Sequence, residues 1–260
     1  MYIPQLIQKM IENKEYTIDQ TGMSGSSILM FDDCVLKIQP FNKEVESEID
    51  MMQWLAHTNL IPKVILHITE NNKSYLLMTR MDGKMSCDRS YKENNEVLVD
   101  VLVQGLKKLW SIDIKDCPCD WTLKNKLKLA KDRVINNQVD IEECNPNTFG
   151  ENGFASPMDL YLWLENNQPE EDLVLSHGDF CLPNIFGQND KLSGFIDIGK
   201  MGIADRWQDI ALCYRSLRDN MNGFYGGKVY DFNPDILFEK LGITKDLEKL
   251  NYYLLLDELF

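Results

Sequence analysis

The chain has 260 residues, 44% hydrophobic and 26% charged, enough for one large domain or two small ones around a sizeable core. A formal net charge of −14 repels nucleic acid and anionic lipid and attracts cations. No apolar stretch approaches the roughly 20 residues that a membrane span needs. The opening "MYIPQLIQKMIENKEY" lacks the apolar centre of a secretory signal. Seven cysteines without framework spacing fit free thiols in a reducing cytoplasm. The charge is unevenly spread: residues 1–81 carry 7 basic and 10 acidic side chains, the remainder 20 and 31.

In chain order, an amphipathic helix opens the sequence, and "GMSGSS" (22–27) follows as a flexible glycine turn. "SSILMF" and "CVLKIQ" around "DD" predict a β-hairpin. "NKEVESEIDMMQWLAH" places Val45, Ile49, Met52 and Leu55 or Ala56 at helical spacing. "KVILHIT" and "SYLLMTRM" around "ENNK" predict a second hairpin, so four strands and one helix fill residues 25–81. After a polar joint at "RMDGK", residues from about 92 turn helical, in "NNEVLVDVLVQGLKKLWSID", "TLKNKLKLAKDRVINN" and "SPMDLYLWLENN". Ser156 and Pro157 are placed there as N-cap and first helical residue. Residues 173–199 interrupt with three short strands, "LVLSHGD", "NIFGQ" and "LSGFIDIG", around the turn "QNDK". Helices resume at "DRWQDIALCYRSLRDN" and run to "LEKLNYYLLLDELF".

The residues that suggest chemistry come from both halves. Phosphoryl transfer needs metal ligands, a lysine on the nucleotide phosphates, a base for the acceptor hydroxyl and a cover for the phosphates. "HGDFCLPN" repeats the H-R-D-x-x-x-x-N spacing of protein kinases with glycine for arginine, which makes Asp179 the candidate base and Asn184 a metal ligand. "FIDIG" matches the D-F-G element with isoleucine for phenylalanine, so Asp197 is the second candidate magnesium ligand, returned beside Asn184 by the intervening hairpin. Lys37 lies in the strand "CVLKI" and Glu48 on the next helix, the pairing that fixes a lysine on the α- and β-phosphates. The 22–27 turn would lay backbone N–H groups and the Ser24 hydroxyl over the phosphates. Each piece has a plainer reading: a turn aspartate, a lysine reaching out of its strand, a histidine bracing a loop. Their joint order favours phosphotransfer. Three dispersed histidines give no zinc spacing and disfavour a metal hydrolase.

"HGDFCLPNIF", "SGFIDIGKMGIADRWQDIALCYRS" and the ending "YYLLLDELF" resemble the aminoglycoside 3′-phosphotransferases, bacterial enzymes that inactivate kanamycin- and neomycin-type antibiotics. The likeness is strongest over 173–219 and 248–260. It implies an α+β, eukaryotic protein-kinase-like two-lobe fold, with a β-rich N-lobe (1–81) and a mainly helical C-lobe (82–260) that begins with the hinge. It further implies ATP and Mg2+, and a cytoplasmic monomer or weak dimer whose acceptor is a small-molecule aminoglycoside. By position, Asp179 becomes the catalytic residue; Ser24, Lys37, Glu48, Thr79 and Met81 serve the nucleotide; Asn184 and Asp197 bind metal. The drug sites fall on Glu151, Asp219, Asp257, Glu258 and the terminal Phe260. Such acids would hold ammonium groups by charge-assisted hydrogen bonds. Two positions depart from some relatives: Val35 stands where an aromatic stacks on adenine, and Leu182 where an acid follows the catalytic aspartate. Two rival readings remain: a choline- or sugar-kinase-like enzyme for another hydroxylated metabolite, and an inactive kinase fold used for binding.

Overall fold

The computed structural model describes residues 2–19, 26–151 and 153–260; the expected role of Ser24 lies outside them. The N-terminal region is one antiparallel sheet of five strands in the order β1-β2-β3-β5-β4. These are β1 (Thr17–Asp19), β2 (Ser27–Met30), β3 (Cys34–Pro40), β4 (Val64–Glu70) and β5 (Lys73–Thr79). Both expected hairpins form. The β4–β5 turn places Asn71 and Asn72 at φ 52° and 58°, the left-handed pair that a two-residue hairpin turn requires and that asparagine tolerates. The short edge strand β1, pairing Thr17–Asp19 with Met30–Ile28, was not expected; three residues are too few to show period-two alternation.

Alternation in β3 decides what each sheet face does. Cys34, Leu36 and Ile38 point to one side, where they pack with Ile7 of α1 (Gln5–Ile11), Phe31, Tyr75 and Leu77 in a small core. Val35 and Lys37 point to the other, toward α2 (Lys43–Trp54). The Asn42 side chain caps α2 by accepting from the Val45 N–H at 3.0 Å. Its inward stripe is Val45, Glu48, Met52 and Leu55, so Glu48 belongs to the stripe and Ala56 is exposed.

Met51, Met52, Leu55, Leu60 and Ile61 join the large core of the C-terminal region, so hydrophobic packing is continuous between the two regions. That region is centred on α4 (Asn95–Trp110), whose Leu98, Val99, Val101, Leu102, Leu106 and Leu109 are fully buried. Around it lie α3 (Arg89–Lys92), α5 (Leu123–Ile135), α6 (Pro157–Asn166), α7 (Arg206–Met221), α8 (Ile236–Leu241) and α9 (Leu247–Asp257). Ser156 caps α6, its hydroxyl accepting from the Asp159 N–H at 3.2 Å, with Pro157 in the first turn as expected.

The three expected strands of 173–199 divide between two small sheets. β7 (Leu173–Ser176) pairs with β10 (Gly202–Asp205). β8 (Ile185–Gln188) and β9 (Lys191–Phe195) form the hairpin around "QNDK" and pair with β6 (Lys84–Met85). Neither β6 nor β10 was expected, because two and four residues carry too little pattern and draw their order from partners distant in sequence. All seven cysteines are free thiols. No helix among the described residues is long and apolar enough to cross a membrane.

Candidate active site

The two regions face each other across a cleft of about 190 Å³. Its walls are apolar, with Val35, Met78, Met81, Ile196 and Ile198, and its polar end holds Lys37, Asn184 and Asp197. Lys37 projects from β3 and is 7% exposed. Its ammonium contacts Glu48 Oε1 at 2.9 Å and Oε2 at 3.1 Å, and Asp197 Oδ1 at 2.9 Å, although Asp197 lies 160 residues away. Gln39 donates to the same Glu48 carboxylate at 3.1 Å. Burial by itself would lower the Lys37 pKa, but the charges of Glu48 and Asp197 outweigh it and hold the ammonium above the ordinary lysine value. Asp197 is held below the ordinary carboxylate range: partial burial raises it, and Lys37 more than cancels that. Its φ of 57° is a left-handed conformation that aspartate tolerates better than most residues.

Asp179 is half-buried at the end of the turn after β7. Asn184 Nδ2 donates to Asp179 Oδ2 and to its backbone carbonyl, both at 3.0 Å, and the Cys181 thiol donates to Oδ1 at 3.0 Å. With Nδ2 committed to Asp179, the amide oxygen is the acceptor that Asn184 has to offer, and Asn184 and Asp197 both line the cleft. Two hard oxygens from Asn184 and Asp197 suit a magnesium ion that takes its remaining ligands from water and phosphate. No group of three or more metal-binding side chains occurs among the described residues, so an all-protein cage is not what this pair belongs to.

The loop carrying Asp179 is fastened from below. Asp209, fully buried on α7, accepts the His177 N–H at 2.7 Å, the Gly178 N–H at 2.9 Å and the Ser176 hydroxyl at 2.9 Å. Burial pushes the Asp209 carboxyl up, against the pull of His177 and these donors. His177 accepts the Asp179 N–H on Nδ1 at 3.3 Å, which leaves its Nε2–H to donate to the Ile196 carbonyl at 3.1 Å. One imidazole thus ties the Asp179 turn to the residue before Asp197. Gly178 explains the missing arginine of the kinase pattern: it sits at φ +81°, and a Cβ there would lie 2.0 Å from the Lys200 carbonyl oxygen.

The other expected residues are less uniform. Thr79 and Met81 both line the cleft. The Thr79 N–H is taken by the Lys63 carbonyl at 2.9 Å, whereas the Met81 N–H donates to no group among the described residues. Val35, the departure from an aromatic, is part of the apolar wall, and Leu182, the departure from an acid, is fully buried. Asp257, at the end of α9, pairs with Arg215 at 2.5 Å; both act on Cys181, which also touches Asp179. Asp219 is buried and held by Arg218 at 2.7 Å and 3.2 Å. Glu258 accepts the Asn145 N–H at 2.8 Å, and a backbone oxygen of Phe260 accepts from Arg133 at 3.0 Å. Glu151 stands exposed on the turn between Phe149 and Phe154. A larger groove of about 1040 Å³ lies between α6, α9 and residues 145–154; of the expected residues only Glu258 borders it. Asp209, Arg215 and Cys181 went unassigned in the sequence, although all three lie inside the quoted motifs; nothing in their spacing distinguishes a side chain that supports a loop from one that faces solvent.

A family model described as "Phosphotransferase enzyme family" matches residues 11–228. An aminoglycoside 3′-phosphotransferase of Enterococcus faecalis is 36% identical over 271 residues, spanning 100% of this chain and 99% of the relative. The crystal structure of a type VIII aminoglycoside 3′-phosphotransferase superposes with a TM-score of 0.79 at 25% identity, covering 98% of this chain and 97% of the other. A Streptomyces rimosus aminoglycoside phosphotransferase in complex with ADP and streptomycin gives a TM-score of 0.77 at 20% identity, covering 98% and 96%.

Two outcomes follow from this geometry. Asp209→Ala strips the acceptor from three buried donors and is expected to cost about 3 kcal/mol or more in urea unfolding, with a fall in turnover as the Asp179 turn loosens. The second concerns Asp257. Burial raises its carboxyl, but Arg215, Lys126 and Lys200 outweigh that and hold it below the ordinary range. A depressed native value means the stabilisation is complete above the unfolded pKa of about 3.9 and is lost as pH falls through the native value. Between about pH 5 and pH 3, unfolding free energies of Asp257→Asn should therefore decline less steeply than those of the parent chain; equal slopes would contradict the assignment.

Proposed function

From its place in the aminoglycoside 3′-phosphotransferase family, to which the chain belongs, we propose that this enzyme transfers the γ-phosphate of ATP to the 3′-hydroxyl of kanamycin- and neomycin-type aminoglycosides, conferring resistance to them. The observation that carries the reading is the Lys37 ammonium bound to both Glu48 and Asp197 in the cleft that Asn184 also lines. The adenine would lie between the apolar walls near Val35 and Ile198, its edge read by the free Met81 N–H. Lys37 would hold the α- and β-phosphates, with Glu48 keeping the ammonium extended toward them. The sheet of residues 1–81 would thus serve the nucleotide, and residues 82–260 the acceptor.

Asp179 is the catalytic residue in this reading. Its carboxylate orients the 3′-hydroxyl and accepts its proton as the new O–P bond forms and the bond from the γ-phosphorus to the bridging oxygen breaks, releasing ADP. Asn184 and Asp197 would hold magnesium, which supplies charge neutralisation to the phosphates. Most of the rate would come from position and from fixed charge. The ammonium groups of the acceptor would meet Asp219, Asp257, Glu258, the terminal Phe260 carboxylate and, at the rim, Glu151. Asp257 and Asp219 already carry arginine partners, so their carboxylates are held in place before any ligand arrives.

Incubated with ATP and magnesium, kanamycin is expected to gain the mass of one phosphate, and tobramycin, which lacks the 3′-hydroxyl, to gain none. Phosphorylation of both would move the reaction to another hydroxyl, and phosphorylation of choline or a simple sugar with higher kcat/KM would replace the acceptor class. Asp179→Ala should lower kcat by about 10²- to 10⁴-fold while leaving ATP affinity nearly unchanged; undiminished turnover would remove Asp179 from the mechanism.

A further inference from the structure

Lys126 is a buried polar group of the acceptor side that the proposed reaction does not use. It lies on α5, is 5% exposed, and its ammonium donates to no acceptor among the described residues. Its ammonium lies over the face of the Phe260 ring, with the nitrogen 5.1 Å from the centroid. Arg133, not Lys126, donates to the backbone oxygens of Leu259 and Phe260, at 2.8 Å and 3.0 Å. A buried ammonium with three unused N–H donors is costly unless something completes its hydrogen bonds. The side chain keeps 5% of its surface exposed, so a ligand that completes its hydrogen bonds would do so from the little surface it presents. Its surroundings are those of the reacting group: Asp257, Asp209 and Asp179 all act on its charge, and so does Lys200 with opposite sign.

We infer that Lys126 is a specificity-determining residue of the acceptor site, donating to a hydroxyl oxygen of the reacting aminosugar ring and disfavouring an ammonium at that position. The inference rests on the aminoglycoside reading above and assigns to one side chain a choice that the acidic residues cannot make. Carboxylates accept from ammonium and hydroxyl alike, whereas an ammonium donates only, so it attracts a hydroxyl oxygen and repels a second cation. Burial lowers its pKa to about 8, against Asp257 pulling the other way, so the group stays largely protonated at neutral pH while being weakly hydrated.

Two commercial pairs isolate the effect: kanamycin A against kanamycin B differ at the 2′ position, and paromomycin against neomycin at the 6′ position, hydroxyl against amine in each case. The parent enzyme is expected to favour the hydroxyl member of at least one pair in kcat/KM by roughly three- to thirtyfold. Lys126→Met should abolish that preference through KM for the aminoglycoside, with KM for ATP unchanged. Lys126→Gln, which keeps an N–H donor without the charge, should retain part of it, and thermal melting of both variants reports whether they fold. Equal changes for all four drugs in folded Met and Gln variants, or no preference in the parent enzyme, would overturn the inference while leaving the aminoglycoside reading intact. Failure to phosphorylate any of the four would overturn both.

Discussion

A single ammonium buried between carboxylates organises the cleft. Lys37 cannot sit 7% exposed in a strand without compensation, and the nearest acids come from α2 and from the turn after β9. Each of those segments must then hold a fixed position relative to β3. The ion pair with Glu48 is supported by packing, since the same helical stripe places Val45, Met52 and Leu55 in the core. The contact with Asp197 crosses from the sheet to the C-terminal region. One ammonium therefore ties the two sides of the cleft together and fixes the direction of its own side chain. Buried ion pairs of this kind contribute little net stability, because desolvation offsets attraction; their value here is geometric.

A second buried charge performs the same service for the Asp179 turn. Asp209 gathers two backbone N–H groups and a hydroxyl from Ser176–Gly178, and His177 passes the constraint on to Asp179 and Ile196. The backbone is pinned on both sides of Gly178, whose positive φ lets the turn lie against Lys200. With Asn184 and Cys181 each donating to one oxygen of the Asp179 carboxylate, its orientation is settled before any substrate binds. Rate in phosphoryl transfer depends on such preorganisation more than on bond-making by the protein.

The acidic excess of the C-terminal region is also less free than a net charge suggests. Arg215 and Arg218 neutralise Asp257 and Asp219 locally, and Arg133 occupies backbone oxygens of Leu259 and Phe260. Under the proposed function, a polycationic acceptor entering this region would exchange partners with fixed guanidinium groups instead of meeting bare carboxylates. Selectivity would then depend on where internal cations stand as much as on how many acids are present.

Much of this was legible in the linear chain. Period-two alternation, paired turn asparagines and the Asn42 and Ser156 caps are local signals, so the hairpins and most helices follow from sequence alone. The order of Lys37, Glu48, Asp179, Asn184 and Asp197 was legible for the same reason: each sits at a fixed offset within its own segment, and that offset decides which face of a strand, helix or turn it occupies. The short strands β1, β6 and β10 were not, because they exist only by pairing with residues far away. Nor were the partners of the charged groups. That Asp209 lies under the Asp179 turn, that Arg215 answers Asp257, and that Lys126 meets no hydrogen-bond acceptor among the described residues are outcomes of packing α5, α7 and α9 together. Burial turns a side chain's identity into an electrostatic requirement, and only the tertiary structure decides which charges are buried and which of them meet.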